Sequence, residues 1–199
     1  IKGLKIATVF LGRFTKEKVR FMTKRISQSE IQDLYVKWHT PDKVKAHCKA
    51  VSDVGVKMAE ELNKHGYSLD LDLIRGSGLC HDVARIYEGH DRIGFDILTE
   101  LGYEDEANIV KVHMKYPKYN DIENLDECDI ICLADRVVKE NKYVGLDERI
   151  EYIINKVPDG NPEIIERILL KKQETKDVLD KIAQIIGKYL PESMFDIID

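Results

Sequence analysis

The sequence has few of the features that would assign it to a specialised class of protein. It contains four cysteines, five prolines and a single tryptophan in 199 residues. The cysteines are scattered and form no Cys-x-x-Cys pair, so neither a disulfide scaffold nor a structural zinc site is expected. We therefore expect reduced thiols in a cytoplasmic protein.

Long apolar runs and an excess of positive charge are missing as well. The longest apolar runs, such as residues 6–11, are far shorter than the ~20 residues that a membrane span needs, and no signal peptide is evident. We expect no membrane partner. Lys and Arg total 31 against 36 Asp and Glu, a net charge of −5. No overall positive field therefore favours duplex nucleic acid as a partner.

Apolar residues recur at three- and four-residue spacing along most of the chain, whereas strict alternation is almost absent. This pattern predicts an all-α protein. Thr40 and Pro41 predict a helix start, with a hydroxyl cap followed by proline at the first helical position. The apolar stripe after them predicts one long helix that ends near His65 and Gly66. Further helices are predicted at roughly 70–86, 91–102, 104–115, 123–141, 147–157 and 161–190.

The first 25 residues carry eight Lys and Arg but one Glu. We interpret this bias as a solvated helix face that packs on an acidic body, and a basic docking arm is the alternative. The predicted organisation has three parts: a basic N-terminal helical extension over residues 1–39, a central domain over 40–155, and a C-terminal helical extension over 156–199 that packs on the same body.

The residues that carry chemistry are imidazoles and carboxylates, distributed over several predicted helices. Imidazole nitrogen and carboxylate oxygen suit Mn, Fe, Co, Ni, Zn and, less well, Mg. Asp82 is the natural bridge between two ions, because a carboxylate can bridge them and an imidazole cannot. On one helix, His81 and Asp82 point about 100° apart, so both can reach a metal cluster that lies beside it. We expect a divalent-metal site built from His47, His81, Asp82, His90, His113 and Asp135.

The order of these residues resembles the HD-domain superfamily of metal-dependent phosphohydrolases. That superfamily has a His on one helix, a His-Asp pair on a later helix and a distant Asp, as His47, His81-Asp82 and Asp135 stand here. The residues around each position agree, and the resemblance covers about residues 40–155. It implies an HD-domain helical bundle with N- and C-terminal helical extensions.

Superfamily members that hold two metals have two further histidines between the His-Asp pair and the last Asp, and His90 and His113 fit that pattern. By resemblance, one ion is held by His47, His81, Asp82 and Asp135, and a second by Asp82, His90 and His113. The chain looks like the dinuclear HDIG-type branch, which includes bacterial dinucleoside-tetraphosphate hydrolases.

Two departures from related patterns refine the expectation. Cyclic-dinucleotide phosphodiesterases of the superfamily carry a His-His pair and a downstream Gly-Tyr-Pro, whereas Met114 follows His113 here, so that activity is not expected. The HDIG pattern has Gly and often Lys after the His-Asp pair, where this chain has Ala84 and Arg85. On a helix, Arg85 lies on the same side as His81 and Asp82, where its guanidinium can bind a phosphate oxygen.

The resemblance implies hydrolysis of a phosphoester or phosphoanhydride by a metal-activated hydroxide, with Asp82 and Arg85 as catalytic residues. The expected substrate is a small phosphorylated molecule, a nucleotide or a dinucleoside polyphosphate. A phosphomonoesterase acting on a mononucleotide or sugar phosphate is one alternative. The other is a non-catalytic metal- or nucleotide-binding regulatory module, with the basic N-terminal segment as its docking surface. Trp38, Tyr116 and Tyr119 are candidates to stack on a base, although a packed aromatic is the preferred interpretation of Trp38.

Overall fold

The computed structural model describes residues 24–115 and 118–187. The regular secondary structure of the described residues consists of helices and one hairpin of two two-residue strands, which confirms the all-α prediction. The eight helices are α1 (Gln28–Lys37), α2 (Asp42–Lys64), α3 (Leu71–Cys80), α4 (His90–Glu100), α5 (Glu104–Val112), α6 (Glu127–Asp135), α7 (Gly145–Ile154) and α8 (Pro162–Ile186); the strands are β1 (Val138–Lys139) and β2 (Lys142–Tyr143). Short 3-10 turns cover Ile122–Asn124 and Pro158–Gly160.

Two clusters of buried apolar side chains form the core. The first surrounds α2 and joins it to α3, α6, β1 and the end of α8, with Val54, Met58 and Ile131 among its fully buried members. The second joins α1, α4 and α5 to the turn that follows α3, with Leu98 and Tyr103 at its centre. Because α3 begins in the first cluster and ends in the second, the turn after it lies where the two meet.

Several predicted helix boundaries are wrong, and the most informative error concerns α3. It ends at Cys80, not near residue 86. The chain continues in tight turns, in which the amides of Val83, Arg85 and Tyr87 donate to carbonyls three residues earlier. Thr40 is not a helix cap either: α2 starts after Pro41, and the buried Thr40 hydroxyl donates to the Val83 carbonyl at 2.6 Å. This long-range hydrogen bond helps to hold the turn.

The predicted helix over 123–141 is also wrong. Asp126 caps a new helix there, because its carboxylate accepts from the amide of Asp129 while the Asp129 carboxylate accepts from the amide of Asp126. That helix, α6, ends at Asp135, and Val138 then pairs with Tyr143 across the hairpin. Glu140 takes a positive φ of 55° at the turn. The apolar periodicity of residues 130–138 therefore spans a helix and a strand.

The two ends of the chain are only partly described. The basic segment lies outside the described residues except for Lys24 and Arg25, and Tyr116 and the end of the predicted helix 161–190 lie outside them too. The guanidinium of Arg25 lies 3.0 Å from the carboxylate of Asp70 and 2.8 Å from that of Asp105, so it links the start of α3 to α5. The predicted division at residues 39 and 155 stays a prediction. Within the described ranges, no helix is both long and apolar enough to cross a membrane.

Candidate metal centre

The helices bring all six predicted ligand residues to one place. His47 lies in the second turn of α2, His90 is the first residue of α4, and Asp135 is the last residue of α6. The pair His81-Asp82 directly follows α3, and His113 directly follows α5. The argument that placed His81, Asp82 and Arg85 on one helical face is wrong, because α3 has already ended; the turn brings them together instead.

One group of possible ligands consists of His47, His81 and Asp82, whose ligand atoms all lie within 4.8 Å of one another. The imidazole rings of His47 and His81 meet edge to face, with centroids 5.3 Å apart. His81 Nε2 lies 3.8 Å from Asp82 Oδ2. Asp135 is outside this group but touches it, since its Oδ1 is 3.1 Å from His47 Nε2.

The second group consists of Asp82, His90 and His113. Asp82 Oδ1 lies 3.1 Å from His90 Nε2 and 3.4 Å from His113 Nε2. Two ligands held at about 2.1 Å by one ion are roughly 3 Å apart when their bonds meet at a right angle, so these separations suit a shared cation. Asp82 belongs to both groups and turns a different oxygen toward each, as a bridging carboxylate does.

Three of the four histidines are oriented by backbone carbonyls. The Nδ1 atoms of His47, His81 and His113 lie 2.8, 2.8 and 2.6 Å from the carbonyl oxygens of Glu140, Gly78 and Val110. A carbonyl can only accept, so each Nδ1 carries the proton and donates it. When the ring is neutral, Nε2 then holds a free lone pair, which is the tautomer that metal-binding histidines adopt.

Several atoms at the centre are buried without a hydrogen-bond partner among the described residues. These atoms are His81 Nε2, His113 Nε2 and Asp82 Oδ1. A buried polar atom without a partner is costly, and most such atoms in native proteins have one. A divalent cation would satisfy all three, so the residues present fit a metal.

The ionisation of His81 and Asp82 favours cation binding. Burial lowers the pKa of His81 to about 4, so its imidazole is neutral at pH 7. Burial would raise the pKa of Asp82, but the neighbouring imidazoles and the guanidinium of Arg85 hold it well below its usual range. Burial opposes a charge on His47 and His113, but the carboxylates of Asp135 and Asp82 outweigh it and raise the pKa of both imidazoles.

Arg149 was missed by the sequence reasoning and takes part in the centre through Asp135. Its Nε donates to the Asp135 carbonyl at 3.2 Å, and its Nη2 donates to Asp135 Oδ1 at 3.3 Å. Burial would raise the pKa of Asp135, but the hydrogen bond from His47 and the charge of Arg149 hold it well below its usual range. The sequence could have indicated Arg149, because this residue lies within residues 40–155, the span over which the chain resembles the HD-domain superfamily.

Arg85 lies at the outer side of the second group. Its Nη1 is 3.0 Å from His90 Nε2 and 3.5 Å from Asp82 Oδ1, and its side chain is 45% exposed. A cation with that exposure can reach both the centre and a ligand that arrives from solvent.

The aromatic candidates for base stacking differ in outcome from Arg85. Trp38 packs against the second apolar cluster, which is the interpretation that the sequence favoured. Tyr119 is buried against Thr175 of α8 and faces the core, so it is unavailable for stacking on a base.

Comparison with known proteins agrees with the geometry. The HD domain family profile matches residues 44–140, a span that contains all six candidate ligands. The uncharacterized protein MJ0778 of Methanocaldococcus jannaschii is 28% identical over 154 residues, which covers 69% of this chain and 90% of that protein. No solved structure matches significantly. Proteins with this domain are generally metal-dependent hydrolases, and the two matches together support membership of the HD-domain superfamily.

Proposed function

We propose that this protein is a phosphohydrolase that uses two divalent ions to cleave a phosphoester or phosphoanhydride bond. The expected substrate is a small phosphorylated molecule, a nucleotide or a dinucleoside polyphosphate. The observation that carries the proposal is the convergence of histidine Nε2 atoms on Asp82, with the Nδ1 atoms of His81 and His113 bonded to backbone carbonyls. Most buried polar atoms in native proteins have a hydrogen-bond partner, so the three atoms that lack one within the described part of the chain support a bound cation.

In this proposal the ligands are divided between two ions. His47, His81, Asp82 and Asp135 hold one, and Asp82, His90 and His113 hold the other. When bound, two such ions lower the pKa of a water molecule and stabilise the charge that develops on a phosphoryl group. The protein's part is to fix the ligands: the carbonyls orient the rings, and Arg149 holds Asp135.

Arg85 has a separate role in the proposal, because it offers a positive charge at the open side of the centre. A guanidinium binds phosphate oxygens with two parallel hydrogen bonds, which both orients the substrate and neutralises charge. Its side chain is half-exposed and touches His90, so a phosphate bound there would also face the second group of ligands.

The test is metal content by elemental analysis combined with turnover of phosphoesters and nucleotides in added Mn and Co. We expect the wild-type protein to hold about two ions per chain, His90→Ala about one, and Asp82→Ala none, because only Asp82 belongs to both groups. His65→Ala is the matched control, since His65 is exposed and directly follows α2, about 27 Å along that helix from His47. It should keep both ions and full turnover.

Arg85→Met separates substrate binding from metal binding. We expect it to keep both ions but to raise KM at least tenfold, because it removes a charge-assisted hydrogen bond to phosphate. A wild-type protein that holds two ions but hydrolyses no phosphate compound would refute the phosphohydrolase and favour the regulatory module. A protein that binds no transition metal would refute the metal centre itself.

A further inference from the structure

Three exposed apolar residues lie next to Arg85, two of them in sequence and one in space. Ile86, Tyr87 and Met114 are among the large hydrophobic side chains of the described residues that stay exposed, at 51%, 38% and 43%. Ile86 and Tyr87 follow Arg85 in the chain, and Met114 Sδ lies 3.6 Å from Arg85 Nη1. We call these three residues the apolar rim. Exposed apolar side chains that cluster around a functional cation mark a binding surface more often than scattered ones do.

Tyr87 is held in place by a second aromatic residue. Its ring meets that of Trp38 edge to face, with centroids 5.8 Å apart and an interplanar angle of 86°. Trp38 directly follows α1, and two residues later Thr40 donates to the Val83 carbonyl. The α1–α2 junction therefore holds the turn at Val83 and at Tyr87, on either side of Arg85. This arrangement limits the movement of the turn while Tyr87 stays partly exposed.

We propose that Tyr87, together with Ile86 and Met114, binds the planar base of a nucleotide whose phosphate is held by Arg85. This inference rests on the proposed function and names the substrate class of the same site. Aromatic rings stack on the faces of all bases, and a methionine side chain adapts to a flat ring. Arg85 and Tyr87 are two residues apart, so their Cα atoms are separated by at most about 7 Å, a distance that one pentose can bridge.

The single tryptophan of the chain, Trp38, is in contact with Tyr87 and allows a direct test without turnover. The metal-loaded protein is titrated with AMP and with ribose 5-phosphate, which has the sugar and the phosphate but no base. Affinities are measured by calorimetry, and Trp38 emission is recorded with excitation at 295 nm. Stacking one base contributes roughly 5- to 150-fold in affinity. We expect AMP to bind at least fivefold more tightly than ribose 5-phosphate and to change Trp38 emission, which ribose 5-phosphate leaves unchanged.

Variants of Tyr87 identify the residue responsible. Tyr87→Ala should abolish the preference for AMP and leave the affinity for ribose 5-phosphate within about twofold, whereas Tyr87→Phe should keep the preference. Leu101→Ala is the matched control, because Leu101 is 47% exposed and follows the end of α4, about 16 Å along that helix from His90. It should bind both compounds as the wild type does.

Equal affinity of the wild type for the two compounds would overturn the inference, and so would a preference that survives in Tyr87→Ala. These results are separate from the test of hydrolysis. If the preference depends on Tyr87 but no phosphate compound is hydrolysed, the phosphohydrolase is refuted and base binding stands. If phosphoesters are hydrolysed and Tyr87→Ala keeps its preference, base binding alone is refuted.

Discussion

Replacing Gly78 by alanine is expected to push α3 away from α2 next to the metal centre. Gly78 lies in the last turn of α3 and packs against Ser52 of α2. A Cβ at position 78 would be 2.6 Å from Ser52 Cα and 2.9 Å from Ser52 Cβ. Carbon atoms in contact are normally about 3.5–4.0 Å apart, so the helices must separate by roughly 1 Å. Because Ser52 Cα belongs to the backbone, a change of side-chain rotamer cannot relieve this contact.

The cost follows from two opposing effects. Overpacking a core by one methyl group costs about 1–3 kcal/mol, and a backbone obstacle places Gly78→Ala at the upper end of that range. Alanine has a higher helix propensity than glycine and returns about 1 kcal/mol. We expect a net loss of about 1–2 kcal/mol in the free energy of unfolding, or roughly 2–8 °C in Tm for a domain of this size. Urea unfolding of the metal-free protein, followed by circular dichroism, measures it.

The same displacement should weaken metal binding, because α2 carries His47 and the end of α3 positions His81 and Asp82. Metal–ligand distances tolerate changes of only about 0.2 Å. We expect metal affinity to fall at least tenfold. Gly55→Ala is the matched control at the same interface, since its Cβ would meet only side-chain atoms, the nearest being Ile74 Cγ2 at 3.1 Å. Wild-type stability and metal affinity in Gly78→Ala would refute the reasoning.

Two further predictions concern charged groups. Arg149→Met should remove the two hydrogen bonds that Arg149 donates to Asp135 and lower metal affinity about 10- to 100-fold, as measured by calorimetric titration; unchanged affinity would show that Asp135 is positioned without Arg149. Burial raises the pKa of Glu106, so this carboxyl ionises less readily in the folded state than in the unfolded one. The free energy of unfolding of the wild type should therefore fall relative to that of Glu106→Gln as the pH rises from about 4 through the raised pKa of Glu106. Below about pH 4, the two proteins should have similar stability. Denaturant unfolding between pH 3 and 7 checks the sign, and a constant difference across that range would contradict it.

The sequence was sufficient to predict the helical class, the superfamily and the six residues that come together. It could do so because the ligand residue types stand in a particular order and the helices have a clear periodicity. The end of α3 could not be predicted, because the turn that follows it is held in part by a hydrogen bond between Thr40 and Val83, 43 residues apart, which no local pattern indicates. The hairpin after α6 was missed because Val137 and Val138 continue the apolar pattern of the helix. The assignment of each ligand to an ion stays a prediction.

The carbonyls that orient His81 and His113 have a further consequence, because they belong to the final turns of helices. Gly78 and Val110 each stand three residues before the histidine that they bind, so each imidazole satisfies a carbonyl at the C-terminal end of its own helix. Asp135 is likewise the last residue of α6. Three helices therefore end at the metal centre, and the negative ends of their dipoles all lie beside it. Although α4 begins at His90 and brings one positive dipole end to the same place, the three negative ends outnumber it, so the backbone itself favours cations here before any carboxylate is counted.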